Sequence, residues 1–324
     1  MAYLVESIVK VIVVFGVFMG FVAYMTLLER KVLGRLQVRY GPNRVGPFGL
    51  WQPIADGIKA FFKEDLIPAN ADKPLFVIAP MISVASALCL IGVIPFGDKI
   101  TLFGHTIYLR ITDLDVGILY LFAFASIGEY GVVLGGWASG NKYGVTGALR
   151  AAAQMISYEL ALSLSVIGVI MISGSLSLSV IVEKQAHMWN VVYQPFAFIF
   201  YMVCALAEIN RTPFDMPEAE SELACGYNIE YSSMKFALFF MGEYAHLVVV
   251  CAVATTLFLG GWQGPFLPGV LWFLIKTFVL VFFCIWERGT FPRLRYDQIM
   301  HFGWKILLPL TLANVVITAI VMAL

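Results

Sequence analysis

The chain has 324 residues, 60% of them hydrophobic and only 13% charged, with 21 acidic and 21 basic side chains and a mean hydropathy of +0.85. Soluble domains average about 45–50% apolar and about 25% charged residues, so this composition predicts an all-α integral membrane protein. A formal net charge of zero supplies no electrostatic attraction for nucleic acid, and no nucleic-acid partner is expected.

A membrane-crossing helix needs about 20 predominantly apolar residues. Eight stretches qualify: residues 8–28, 75–97, 113–135, 148–173, 190–209, 236–259, 268–287 and 303–323. The first is too long for a signal-peptide core, has no small-residue cleavage pattern and stops at Glu29-Arg30-Lys31, so it reads as a retained span. No internal repeat is visible, and residues 1–324 read as a single polytopic domain. Cations set the orientation. The odd-numbered connections carry Arg30, Lys31, Arg35, Arg39, Arg44, Lys59, Lys63, Lys73, Lys142, Arg150, Arg211, Lys235, Arg288, Arg293 and Arg295. The N-terminal end and the even connections carry only Lys10, Lys99, Arg110 and Lys184. The odd connections are therefore expected on the cytoplasmic or matrix side, with both termini outside.

The first connection, residues 29–74, has its own organisation. Gly41-Pro42-Asn43 and Gly46-Pro47 are turn signals. FGLWQPIADGIKAFFKED then reads as a short amphipathic helix at about 100° per residue. Trp51, Ile54, Ile58, Phe61 and Phe62 share one face, and Gln52, Asp56, Lys59 and Lys63 the opposite one. Such a helix lies in the membrane interface. Its mixed polar face suits the rim of a cavity better than a simple lipid anchor.

Acidic residues concentrate further along, where charge is costly. Between two apolar runs stand Glu208, Asp215, Glu218, Glu220, Glu222, Glu230 and Glu243, with only Arg211 and Lys235 as basic residues. Glu129 falls in the third expected span near its inner end, and Glu159 near the middle of the fourth. Glu243 lies in the sixth, with His246 nearly one turn on, and Lys276 sits in the seventh. A single intramembrane charge can be half of a structural ion pair, for example Lys276 with a neighbouring Glu. Three carboxylates at graded depth read instead as a proton path. Apart from Asp113 and Asp115 at the outer mouth of the third, no carboxylate falls in the outer half of an expected span, so a path made by this chain alone would stop near the bilayer centre.

The five cysteines, Cys89, Cys204, Cys225, Cys251 and Cys284, show no C-x-x-C spacing, and His105, His187, His246 and His301 lie far apart. No metal site, iron–sulfur cluster or disulfide framework is expected.

Four stretches in one order, ERKVLGRLQVRYGPNRVGPFGLWQPIADGIKAFFKED, GWASGNKYGVTGALRAAAQMISYE, AEINRTPFDMPEAESELACGYNIEY and GGWQGP, carry a resemblance to one family. It is the quinone-chamber membrane subunit of respiratory complex I, the proton-translocating NADH:quinone oxidoreductase (the H subunit in bacteria, subunit 1 in mitochondria). The resemblance implies eight spans, a quinone (ubiquinone or menaquinone) as substrate, and no flavin, iron–sulfur cluster or other bound redox centre in this chain. It implies peripheral-arm partners that carry the quinone site and iron–sulfur clusters, small membrane subunits, antiporter-like membrane-arm subunits, and lipid. By motif, Arg30, Arg35, Arg39, Gln52, Asp56 and Lys59 would line or support the mouth of the quinone tunnel. Glu208, Asp215, Glu218, Glu220, Glu222 and Glu230 would form an acidic funnel beneath it, in a loop over about 208–235, continued into the membrane by Glu129, Glu159 and Glu243. A bacterial inner membrane is the expected location, and a mitochondrial inner membrane is equally compatible with the pattern. The competing readings are the equivalent subunit of a membrane-bound hydrogenase-type complex and a stand-alone cation or proton transporter.

Overall fold

Residues 2–102, 105–217 and 220–324 are described by a computed structural model. Helix α1 (Ala2–Leu36) leads through a turn to the short α2 (Gln52–Phe62) and then α3 (Lys73–Ile91). Strands β1 (Lys99–Leu102) and β2 (His105–Tyr108) form an antiparallel hairpin, with Lys99 opposite Tyr108 and Ile100 opposite Ile107. The long α4 (Gly117–Ala138) and α5 (Lys142–Ser173) come next, then α6 (Leu178–Lys184), α7 (Asn190–Tyr193) and α8 (Pro195–Glu208). After the acidic connection, with its single turn α9 (Glu220–Leu223), come α10 (Ser233–Phe258) and α11 (Gly269–Thr290). A final continuous stretch comprises α12 (Tyr296–His301), a π-helical segment (Phe302–Leu307) and α13 (Leu308–Ala323).

Among the described residues, seven helical stretches are long and apolar enough to cross a membrane. They correspond to all the expected spans except residues 190–209. That stretch breaks at Gln194 into α7 and the 14-residue α8, which starts on Pro195. Proline at the first helical position fixes φ without forfeiting a helical hydrogen bond, so the break costs the second piece nothing. The all-α expectation holds for the architecture, and the hairpin is a short addition to it, whose Ile100, Thr101, Thr106 and Ile107 are β-branched and prefer a pleated backbone. A second correction concerns α1. It does not end at residue 28 but continues to Leu36, so Arg30 and Arg35 stand on its last turns. The charges do not stop the helix because Glu29 is buried against cations.

Local chemistry explains the other boundaries. Asn141 caps α5 by accepting the Tyr143 amide at 3.0 Å, and Gly174 ends it with φ of 61°, the left-handed turn that glycine adopts without strain. Helix α4 lies close against α3 because of small residues. A Cβ at Gly131 would stand 2.9 Å from the Ala79 carbonyl oxygen, and small residues at such crossings allow backbones to approach in a membrane. That approach sets Glu129, two residues earlier on α4, against the interior. The core gathers around α5, whose neighbours are α4, α8 and α13.

Candidate functional site

Helix α8 ends in a turn that redirects the chain. Asn210 adopts φ of 58°, its amide reaches the Ala207 carbonyl, and the Arg211 amide reaches back to Leu206. This pair of bonds closes a Schellman-type helix end. Gln154 on α5 clamps the same turn, donating to the Ala207 and Phe214 carbonyl oxygens, each at 2.7 Å. The reversal carries Arg211 back into the protein, where it is only 3% exposed.

Arg211 is the centre of a buried ion network. Its Nη1 lies 2.7 Å from Glu29 on α1 and its Nε 2.7 Å from Glu243 on α10. Its guanidinium stacks 4.2 Å over the Tyr244 ring. Arg288 on α11 pairs with the other oxygen of Glu29. Burial works against the Arg211 charge, but Glu243 and Glu29 outweigh it and hold its pKa well above the ordinary arginine value. Beside this network Arg293 meets Asp215 at 2.5 Å. Burial nevertheless pushes the Asp215 carboxyl above its ordinary value of 3.8, because it outweighs the pull of Arg293.

A cavity of about 50 Å³ lies next to the network, and Glu129, Glu208, Glu243 and His246 all line it, with Ser83 and Asn210. Water needs roughly 10–15 Å³ of such space per molecule, so the cavity has room for a few waters. Glu129 Oε1 and Glu208 Oε2 are buried there with no hydrogen-bond partner in the protein. His246 Nε2 stands 3.1 Å from Ser86 Oγ. A second cavity, of about 40 Å³, shares Glu208, His246 and Ala125 with the first and is otherwise mostly apolar. Glu159 lines neither. It is half-buried and accepts a hydrogen bond from Ser126 on α4 at 2.5 Å, next to Ala125, which lines both cavities.

The first connection forms its own cluster. Asp56 on α2 binds Arg30 at 2.8 Å, accepts from Gln52 at 3.0 Å and lies 3.5 Å from Lys59. Four of the six residues expected at the tunnel mouth therefore meet at one carboxylate. Arg39 lies apart, bonded to Gln37 at 2.7 Å, but shares with Arg30 and Gln52 the lining of an open cavity. Arg35 is on the last turn of α1 outside that cluster. Ser233, at the start of α10, donates to the Ala60 and Lys63 carbonyls, and Lys235 pairs with Asp65 at 2.8 Å. These contacts hold α2 against the α10 end that leads to Glu243. Phe61 and Phe62 remain 70% and 81% exposed, as an interfacial helix requires.

The expected acidic funnel divides. Glu208, Glu243 and Glu129 share the cavity, whereas Glu222 pairs with Arg150 at 2.7 Å at the surface and Glu230 accepts from Asn141 at 2.7 Å. Asp215 is engaged by Arg293. Glu218 and the Glu220 side chain lie outside the described residues. The alternative of an ion pair at Lys276 is not met among the described residues, because its ammonium binds the carbonyl oxygens of Leu259, Gly261 and Gln263. Sequence reasoning missed Glu29, Arg211 and Arg288 as site residues. The signals that could have found them were a glutamate at the edge of an apolar run and a lone arginine in an acidic segment.

A family model described as NADH dehydrogenase matches residues 9–319. The chain is 55% identical to the second of the NADH-quinone oxidoreductase H subunits of Geobacter metallireducens, over 100% of this chain and 97% of the relative. It is equally 55% identical to the first of the H subunits of Geobacter sulfurreducens, with the same coverage. It is 51% identical to the NADH-quinone oxidoreductase H subunit of Thermomicrobium roseum, over 98% of this chain and 96% of the relative.

Proposed function

The chain belongs to the NADH dehydrogenase family as a multi-pass inner-membrane subunit of the proton-translocating NADH-quinone oxidoreductase, and from that premise we propose that it forms the mouth of the quinone tunnel and the acidic path that couples quinone reduction to proton movement. One observation carries this reading. Glu29 and Arg30 are consecutive on α1, and they face two different clusters. Arg30 joins Asp56, Gln52 and Lys59 at the tunnel-mouth side, and Glu29 joins Arg211 and Glu243 at the wall of the acid cavity. A charge arriving at the first cluster is one residue away from the second.

The chemistry follows from the residues. Quinone reduction takes two electrons and two protons, and negative charge develops on the headgroup before protonation is complete. Arg30, Arg35, Arg39 and Lys59 supply cations where an anionic headgroup or a partner's acidic surface would approach, with Gln52 and Asp56 as orienting partners. Glu208 and Glu129, whose oxygens face the cavity without a protein partner, exchange protons through its water without breaking an ion pair. Glu243 is held by Arg211 and responds when that network is disturbed. The loop acids Asp215, Glu218, Glu220, Glu222 and Glu230 supply the surrounding negative field. Glu159, beside Ser126 and half-exposed on α5, passes the proton or its electrostatic effect sideways to an antiporter-like subunit.

The same reading gives α7 and α8 together the eighth crossing, since residues 190–209 would span about 30 Å at 1.5 Å per residue. It places both termini outside, the peripheral-arm subunits against the basic first connection, and the small membrane subunits against the exposed apolar helix faces. The whole chain is then one membrane domain.

Glu208→Gln in the assembled complex tests the proposal. Quinone reductase activity and proton translocation should fall together, while NADH oxidation by an artificial acceptor survives. Wild-type values of both on an equal amount of assembled complex would refute it. A stand-alone transporter predicts instead that the purified chain moves protons in liposomes without partners.

A further inference from the structure

Lys276 is a buried cation with no carboxylate beside it among the described residues. Its ammonium lies 2.6 Å from the Leu259 carbonyl oxygen, 3.1 Å from Gly261 and 2.6 Å from Gln263. The Trp189 ring centroid is 4.3 Å away and that of Trp272 is 5.9 Å away. An ammonium has three N–H donors, and all three are used, whereas a neutral amine has two and would leave one carbonyl oxygen unpaired. The indole faces add a cation–π attraction that only the charged form gains. This cage is built for a positive charge, held by dipoles and ring faces instead of a counter-ion.

The surrounding chain is tied into a knot. Gln185 donates to the Thr256 carbonyl at 2.8 Å and accepts from the Gly260 amide at 2.9 Å. Asn190 donates to the Leu257 carbonyl at 2.8 Å. These side chains satisfy the last carbonyls of α10, which otherwise have no helical partner. They also join the α6–α7 region to the α10–α11 connection.

Two cavities with no lining residue in common both reach residues of this knot. The mostly apolar one that begins at Glu208 and His246 reaches Leu257, whose backbone belongs to the knot. The other is an open cavity lined by Asp98, Lys99, Trp189, Trp262 and Gln263, and Trp189 and Gln263 also touch Lys276. Between the mostly apolar cavity and the outer one, which Asp98 and Lys99 also line, stands a buried cation bound by carbonyl oxygens instead of a carboxylate. Positive groups set across an aqueous path exclude protons and other cations in membrane channels.

We propose that Lys276 and its carbonyl cage form an electrostatic plug that prevents protons held at the Glu208 cavity from leaking through this chain to the outer side. The plug deepens the function proposed above and rests on it for the inward origin of the protons. It accounts for a buried cation in the half of the chain whose carboxylates, such as Asp98 and Asp113, lie at the surface loops and not beside Lys276.

The test uses the assembled complex in proteoliposomes, with passive proton conductance measured under an imposed potassium diffusion potential and no NADH. Lys276→Gln keeps an amide donor but removes the charge, and Lys276→Arg keeps the charge. The Gln variant should raise proton conductance about fivefold or more, as expected when a cation barrier is lost, and the proton gradient sustained per NADH oxidised should fall accordingly. Its quinone reductase rate should stay within about twofold of wild type, because Lys276 touches none of the cavity acids. The Arg variant should remain tight. Should the Gln variant not assemble, Lys276→Met takes its place. Wild-type tightness in the Gln variant, or a loss of assembly and thermal half-life with unchanged conductance in the surviving complex, overturns the plug. The triple variant Lys276→Gln/Glu208→Gln/Glu129→Gln locates the leak. A leak that survives loss of both unpaired cavity acids runs outside that cavity and also overturns the plug. Unaltered turnover in Glu208→Gln alone counts against the proposed path and leaves the barrier measurement standing.

Discussion

Arg211→Gln is the most severe test of the ion network. It removes the cation that joins Glu29 to Glu243. Glu29 keeps Arg288, but Glu243 loses its ion partner. Breaking a buried pair by removing one member costs about 3–5 kcal/mol, because a charge is left buried and uncompensated. The reciprocal change is milder. In Glu243→Gln the amide oxygen still accepts from Arg211 Nε, so the loss is the difference between a charged and a neutral hydrogen bond, about 1–2 kcal/mol. The double variant no longer carries the uncompensated Glu243 charge. It should therefore cost less than the sum of the single changes, by about 1–3 kcal/mol. Arg211→Lys should recover only part of the loss, because a single ammonium cannot reproduce a fork that serves two carboxylates from Nε and Nη1. The assay is the inactivation half-life of quinone reductase activity in purified complex at raised temperature, with the yield of assembled complex measured in parallel. Since about 1.4 kcal/mol is tenfold, Arg211→Gln should shorten the half-life about 100-fold or prevent assembly. The reasoning fails if Arg211→Gln is as long-lived as wild type, or if the double variant loses as much as the two singles combined.

Three further outcomes are expected from the site. Arg39→Ala should lower quinone reductase activity while artificial-acceptor NADH oxidation survives, with Lys restoring only part of it; unchanged quinone kinetics in assembled complex would remove Arg39 from the tunnel mouth. Asp215 has a folded-state pKa above 3.8, so its favourable contribution is complete below about pH 4 and is lost as pH rises through the raised value. The half-life of Asp215→Asn relative to wild type should therefore improve with rising pH across the carboxylate range, and a constant ratio would contradict the burial of that carboxyl. Glu159→Gln should depress quinone turnover and proton translocation together in the complex, and the isolated wild-type chain in liposomes should conduct no more protons than empty vesicles. A Glu159-dependent current through the isolated chain would refute a sideways exit.

Much of the architecture was legible because it rests on apolar length. Seven expected spans are helices, and α2 falls inside the segment whose faces separate Trp51, Ile54 and Ile58 from Gln52, Asp56 and Lys59. The exceptions have local causes. Pro195 divides one apolar run, and the β-branched residues around Thr101 and Thr106 favour a hairpin that hydropathy does not register. The first connection was partly legible, since Gln52, Asp56 and Lys59 lie at helical spacing and Arg30 completes the set only through tertiary contact. The ion network was not legible. Glu29, Arg211, Glu243 and Arg288 come from four places in the chain, and no spacing rule links them. The turn at Asn210 that sends Arg211 inward depends on Gln154 from another helix.

Depth along a span is an incomplete guide to the role of an acid, because partners decide what a proton would cost there. Glu243 and Glu29 are tied to guanidinium groups, so protonating either one weakens a buried ion pair. Glu129 and Glu208 face the same cavity with an oxygen that no protein donor reaches, so they gain or lose a proton without that penalty. The division suggests separate tasks within one cluster. The paired carboxylates fix α1, α10, α11 and the connection after α8 in one electrostatic unit, and in the proposed function the unpaired ones carry the mobile charge. Because Arg211 also holds Glu243, which lines the cavity, a change of charge at the proposed tunnel mouth that loosened Glu29 would alter the hold on Glu243. Coupling of this kind needs no moving helix, only a guanidinium shared between two carboxylates, one of which lines the acid cavity.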